Sequence, residues 1–343
     1  MRFVRYFITG LAVLATPRAM AHEKWFTEGP ITPSAWDQLK TNGGLKGTLA
    51  ALGMTILAAV AWRLRRGRDL LPGPARFGAT PHGRQTFYAW VPALLAIHLA
   101  VPLFILGLSA KLFSPNHPLA GSQAHLLGLL QAGIALALFY GVFTRVAAIV
   151  LALTWFRAIG IIGLEAALEN IHYLGFALFF FCAGRSTCSI DRLLFPTLQP
   201  PPQRIAMAMP CLRFFIGLSL IVVAFTEKLA NPALALEFLR QHPLNFTPFF
   251  GTPMSDASFI SCCGAVELLV GLCVLLGLFP RTVLIIAWLP FNLTLTVFSW
   301  VELVGHLPFY GAIAALLVWT SGAEDRKLWI GGISGASIDV KTR

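Results

Sequence analysis

Charge is what this sequence has least of. Only 12% of its 343 residues are Asp, Glu, Lys or Arg, about half the share of a soluble domain of similar size. Acids are scarcest, at 15 against 26 Lys and Arg. With 57% hydrophobic residues and a mean hydropathy of +0.73, this excludes an ordinary soluble globular domain. Alternating apolar–polar segments of about ten residues are missing, which excludes a membrane β-barrel. No P-loop, G-x-G-x-x-G, G-x-S-x-G or zinc-protease signature occurs, and no paired histidines sit deep in facing spans as haem ligands. None of the six cysteines forms a C-x-x-C. Cys262 and Cys263 are adjacent, a poor geometry for an ordinary disulfide, and read as small apolar packing residues.

What remains is a series of apolar runs of about 20 residues, long enough to cross a bilayer as helices. The net charge of +11 does not point to nucleic acid, because the basic residues lie at the ends of these runs, as the positive-inside rule requires. Residues 1–21 have the outline of a secretory signal: Arg2 and Arg5, an apolar stretch, then Ala19-Met20-Ala21. Cleavage there leaves His22 first. Residues 22–44 form an external segment. Residues 45–87 supply an anchor span and a basic inner loop. Eight spans follow, near 88–110, 123–143, 146–163, 171–184, 206–226, 259–279, 282–300 and 307–320. The expected fold is an all-α polytopic membrane protein with about nine transmembrane helices, its mature N-terminus outside and C-terminus cytoplasmic. On this topology the inner segments hold 16 Lys and Arg against five acids, and the outer segments six against nine.

The eight spans form two matching blocks, 88–195 and 206–325, joined by a Pro-rich inner linker at 196–205 and followed by an inner tail at 326–343. Lys111-Leu-Phe-Ser-Pro115 in the first block matches Lys228-Leu-Ala-Asn-Pro232 in the second. QAGIALALFYGVFTR, from Gln131 to Arg145, matches ELLVGLCVLLGLFPR, from Glu267 to Arg281. Four spans per block is even, so the blocks share one orientation as parallel repeats. The K-L-x-x-P exit, the E-x-x-x-G-x-x-x-x-x-G-x-x-x-R helix and the four-helix unit resemble the DoxX family of membrane proteins. The resemblance covers about residues 88–325 as two tandem units. It implies a redox-associated membrane subunit that couples an exported partner protein to the quinone pool. The first block departs from the pattern, with Gln131 in place of the acid.

Candidate functional residues are the charges that membrane segments rarely tolerate. Glu267 lies roughly 12 Å below the outer surface at 1.5 Å per residue, where a carboxylate is costly and faces the bundle interior. Arg157 lies within a span and needs a partner, Glu267 or Glu165, or an anionic head group or substrate for it to grip. Glu302 and His306 are four apart, and Glu169 and His172 three apart, so each pair shares a helix face at the outer rim. A carboxylate beside a histidine suits proton exchange, or orientation of a metal-binding imidazole. His98 sits mid-span as a hydrogen-bonded packing residue. A processed His22 offers an amine and an imidazole, a copper chelate that needs a second histidine such as His172 or His306. The alternatives to a redox subunit are a small-molecule or ion transporter and a scaffold for an exported enzyme.

Overall fold

The computed structural model describes residues 23–27, 39, 42–184, 187–319 and 322–335. The expected signal segment and His22 lie outside them. The chain is 79% helical with no strand among the described residues. Its helices are α1 (Asn42–Leu64), α2 (Pro81–Leu108), α3 (Ser122–Tyr140), α4 (Thr144–Ile162), α5 (Leu164–Glu169), α6 (His172–Ala183), α7 (Ile190–Leu194), α8 (Pro202–Val223), α9 (Pro232–Gln241), α10 (Asp256–Leu276), α11 (Pro280–Val318) and α12 (Ala323–Ser334). A single turn, Glu23–Phe26, precedes them.

Among the described residues, six helices are long and apolar enough to cross a membrane: Gly43–Leu64, Pro81–Leu108, Thr144–Ile162, Pro202–Leu229, Asp256–Leu276 and Trp300–Val318. Ala124–Tyr140, His172–Ala183 and Pro280–Leu295 are apolar but shorter. The expected nine spans are therefore six by length. α6 is short because the polar residues Glu169 and Asn170 break the helix and separate α5 from it. α11 is one helical run that doubles back on itself. The Tyr310 hydroxyl donates to the Phe291 carbonyl at 2.7 Å, although 19 residues of straight helix would hold them about 28 Å apart.

The repeat is visible in local geometry. Phe143 and Phe279, which open α4 and α11, both adopt left-handed φ values of 47° and 43°. Each follows a left-handed glycine, Gly141 or Gly277, that closes the preceding helix, where a side chain would be strained. Each new helix is then capped by an aspartate from elsewhere. Asp191 accepts from the Phe143 and Thr144 amides at 2.6 and 2.7 Å. Asp69 accepts from the Arg281 amide at 2.8 Å and the Thr282 hydroxyl at 2.5 Å.

The two blocks do not form separate bundles. α6 packs on α8 and α2 packs on α11, so one hydrophobic core contains side chains of both, from Tyr88 and Phe180 to Leu212 and Leu316. α1 lies at the edge, against α10. The tail begins as α12, which packs across α2 and α8. There the Trp329 indole donates to the Ile205 carbonyl at 2.7 Å, and Arg84 pairs with Asp325 at 2.7 Å and with Glu324. The bundle thus has a basic end, built from the helix junctions at 141–145 and 277–281 and from α12, and an acidic end, built from the 23–27 turn, α5, α9 and the bend of α11.

Candidate functional site

The acidic end is built by a small change in one helix. After Val223 the backbone of α8 widens into a π-helical turn, Ala224–Leu229, a feature frequent at functional sites. This wider turn places Glu227 and Lys228 inside, each 1% exposed. Gly264 opposes it on α10, where a Cβ would come within 3.0 Å of Lys228 and Leu229. Three residues further along α10, Glu267 receives Lys228 Nζ at 3.0 Å. Glu267 therefore pairs with Lys228, and neither ion pair anticipated for Arg157, to Glu267 or to Glu165, forms. Arg157 is exposed on the outer surface of α4. A charge that long reaches polar surroundings along its own alkyl stem without a buried partner.

The turn at Glu23–Phe26, expected within an external segment, also departs from that expectation. It is inserted between the two blocks. The Glu23 amide donates to Glu227 Oε2 at 2.9 Å, and the fully buried Glu23 carboxylate lies 3.4 Å from Lys228 Nζ. Lys24 turns the other way, to Glu165 at 2.9 Å and Glu169 at 2.5 Å. Trp25 lies over Gly305, where a Cβ would come within 2.1 Å of its ring, and its centroid is 5.1 Å from that of His306. Phe26 stacks on Phe298 at 4.2 Å, in a small second core under α9 with Phe238, Leu239 and Phe259.

Glu302 and His306 meet as their spacing predicts, with His306 Nδ1 3.1 Å from Glu302 Oε1. They are buried rather than at a rim, 0% and 1% exposed. Glu169 and His172 do not pair. Glu169 is taken by Lys24, and His172 Nδ1 lies 3.2 Å from the Ser219 hydroxyl, which donates to the Glu169 carbonyl at 2.6 Å. His98 donates from Nδ1 to the Leu94 carbonyl at 2.8 Å and packs against Gly311.

Lys228, Glu267 and His306 converge on one cleft between α8, α10 and α11. Its remaining walls are Leu220, Val223, Val266, Val270, Ile286, Ala287, Pro290 and Phe291. Val266 and Ile286 are 53% and 47% exposed on the apolar outer surface. No protein family, curated protein or solved structure matches the chain.

The chemistry of this end follows from counting charges. Among the described residues, Glu23, Glu169, Glu227 and Glu302 are buried carboxylates, and Lys24 and Lys228 are buried ammonium groups. Removing a carboxylate from water is costly unless it is paired or neutralised. Burial pushes the Glu23 carboxyl well above its usual range, against the pull of Lys228. Burial likewise raises Glu169, against the pull of Lys24. Lys24 is also desolvated, but Glu169 and Glu227 hold it charged. The described residues contain no group of three or more His, Cys, Asp or Glu side chains arranged to hold a metal. The raised Glu23 and Glu169 carboxyls are suited to holding protons. Sequence reasoning missed Lys228, Glu227, Glu23 and Lys24, which it placed in exposed external segments. One signal was present for Lys228, its place in the repeated K-L-x-x-P motif. The insertion of residues 23–26 leaves no trace in local composition.

Proposed function

We propose that the chain is an integral membrane subunit of DoxX type that exchanges electrons and protons with the quinone pool on behalf of an exported redox partner. In this reading the six long helices and the three shorter apolar ones all cross, giving nine spans. The acidic end faces outside and the basic end faces the cytoplasm, as the charge asymmetry supports.

The observation that carries the reading is the cleft containing Lys228, Glu267 and His306. A quinone is a flat apolar ring on an apolar tail, with two carbonyl oxygens that accept protons on reduction. An apolar groove reaching the surface of the bundle suits the ring and tail. Lys228 and His306 supply hydrogen-bond donors, and the Lys228–Glu267 pair supplies a proton-exchanging group. Reduction to the quinol takes two electrons, here from the exported partner, and two protons. Glu302 behind His306 orients the imidazole, and the carboxyls of Glu23 and Glu169 form the proton reserve.

The test is titration of a short-chain quinone into the purified chain in lipid nanodiscs, followed by tryptophan fluorescence. Saturable binding is expected, and Val266→Trp, which fills the cleft from an exposed position, is expected to abolish it. A folded wild-type protein with no saturable response sinks the reading. One observation favours transport instead. Lys228 also lines a second groove between α1 and α10, with Gly43, Gly47, Ser258 and Ser261. A charge reached from two clefts is the arrangement an alternating-access carrier needs. Flux into liposomes without any electron acceptor identifies that case.

A further inference from the structure

The two blocks also serve as controls for each other at the basic end. Arg145 and Arg281 are repeat mates, each just inside a helix that opens on a left-handed phenylalanine. In the second block the loop before α2 covers the arginine, and the Leu71 carbonyl accepts from Arg281 Nε at 3.3 Å. In the first block the Gly184 segment lies against the arginine, where a Cβ would meet the guanidinium at 3.3 Å, but no carbonyl among the described residues accepts from it. Arg145 Nε is buried without a hydrogen-bond partner, and no carboxylate lies within ion-pair distance of Arg145 among the described residues. The adjacent Asp191 is committed to the amides of Phe143 and Thr144. A second cation is close. Arg204, stacked over Phe181 at 5.3 Å, is near enough to Arg145 to repel it. Two guanidinium groups in one place, one with an unsatisfied buried donor, call for an anion.

Beside them runs an apolar groove lined by Phe143, Val146, Leu198 and Pro200. Phe143, Val146 and Leu198 are more than half exposed. A free inorganic anion has no use for this groove, and a zwitterionic lipid would bring a further cation towards two arginines. We propose that the basic end binds one anionic phospholipid, with its phosphate on Arg145 and Arg204 and an acyl chain along Phe143, Val146 and Leu198.

The test is native mass spectrometry of the full-length chain in mild detergent, titrated separately with phosphatidylglycerol and phosphatidylcholine. One retained phosphatidylglycerol is expected, preferred over phosphatidylcholine by about tenfold or more. The double variant Arg145→Gln/Arg204→Gln is expected to lose that preference. Arg76→Gln, which removes an exposed basic residue away from the groove, is expected to change it less than about twofold. Unchanged retention in the double variant, equal retention of phosphatidylcholine, or displacement by millimolar inorganic phosphate each overturns the proposal. Should the double variant fail to fold, Leu198→Glu substitutes at an exposed position and places a like charge beside the phosphate. Undiminished phosphatidylglycerol retention there is equally fatal.

Discussion

Gln131 and Glu267 stand at the same point of the two blocks and do opposite things. Gln131 is spent on the main chain. Its amide donates to the carbonyls of Leu103 at 3.0 Å and Lys111 at 3.2 Å, and its oxygen accepts from the Phe113 amide at 3.2 Å. It closes the frayed end of α2 and leaves nothing for a ligand. Glu267 leaves the main chain to look after itself, takes Lys228 at 3.0 Å, and faces a cleft. The difference begins in the preceding helix. In the first block Ala110 turns left-handed, with φ of 50°, and Lys111 forms no ion pair among the described residues. In the second block the π-helical turn carries Glu227 and Lys228 inward. One duplicated scaffold thus holds a structural hydrogen-bond knot in one half and an ion pair facing a cleft in the other.

The largest test of this contrast is Lys228→Met against Lys111→Met. Removing Lys228 leaves Glu23 and Glu267 without their cation, and breaking a buried pair costs about 3–5 kcal/mol. The Lys111 variant is expected to lose less than about 1 kcal/mol. Thermal unfolding in detergent compares the two, and equal losses would remove the asymmetry argued here.

Exchanging the paired residues comes next. Glu267→Gln gives the second block the first block's chemistry and should lower quinone-dependent electron transfer by about 100-fold, the lower bound for a lost acid–base group, with little change in melting temperature. Gln131→Glu does the reverse, setting a carboxylate against two carbonyls, and should cost about 2–3 kcal/mol with no new activity.

Gly305→Ala probes the inserted segment. The methyl group meets the Trp25 ring, an overpacking change of about 1–3 kcal/mol, and should expose residues 23–27 to limited proteolysis. Next in size is a pair of opposite pH effects. The Glu23 carboxyl is raised from 4.5 by burial, so its contribution is complete below pH 4.5 and is lost as pH rises through its folded value. His117 is lowered from 6.5 to about 4, by burial first and Lys24 second. Its contribution is present above pH 6.5 and is lost as pH falls towards 4. Melting temperatures across pH should show the alkaline loss flattened in Glu23→Gln and the acid loss flattened in His117→Asn. The smallest effect belongs to Arg157→Gln, on the exposed face of α4, which should leave stability within about 0.5 kcal/mol and quinone titration unchanged.

Much of this was legible without coordinates because a bilayer allows few solutions. Helices were the only backbone the apolar runs could adopt, and the repeat showed through small residues and arginines that geometry demands twice. Glu302 and His306 were readable because four residues on a helix make one face. Other features depended on contacts between distant segments. The partner of Glu267 is 39 residues away across a π-helical turn, and no local pattern announces the single extra residue that reorients Lys228. Arg157 was misjudged because a charge in an apolar run reveals depth but not azimuth. Glu23 and Lys24 were placed outside because they lie in the polar segment before the first span, where their burial depends on residues 141 to 205 positions further on.

That last separation has a consequence for how the protein is made. Residues 23–26 leave the ribosome before every group they contact. Among the described residues, Lys24 pairs with Glu165 and Glu169, Glu23 with Glu227 and Lys228, and Trp25 lies on Gly305 and His306. These contacts of the turn therefore form only after most of the chain has been made. Like a pin driven through two halves of a hinge, the turn then joins the first block to the second.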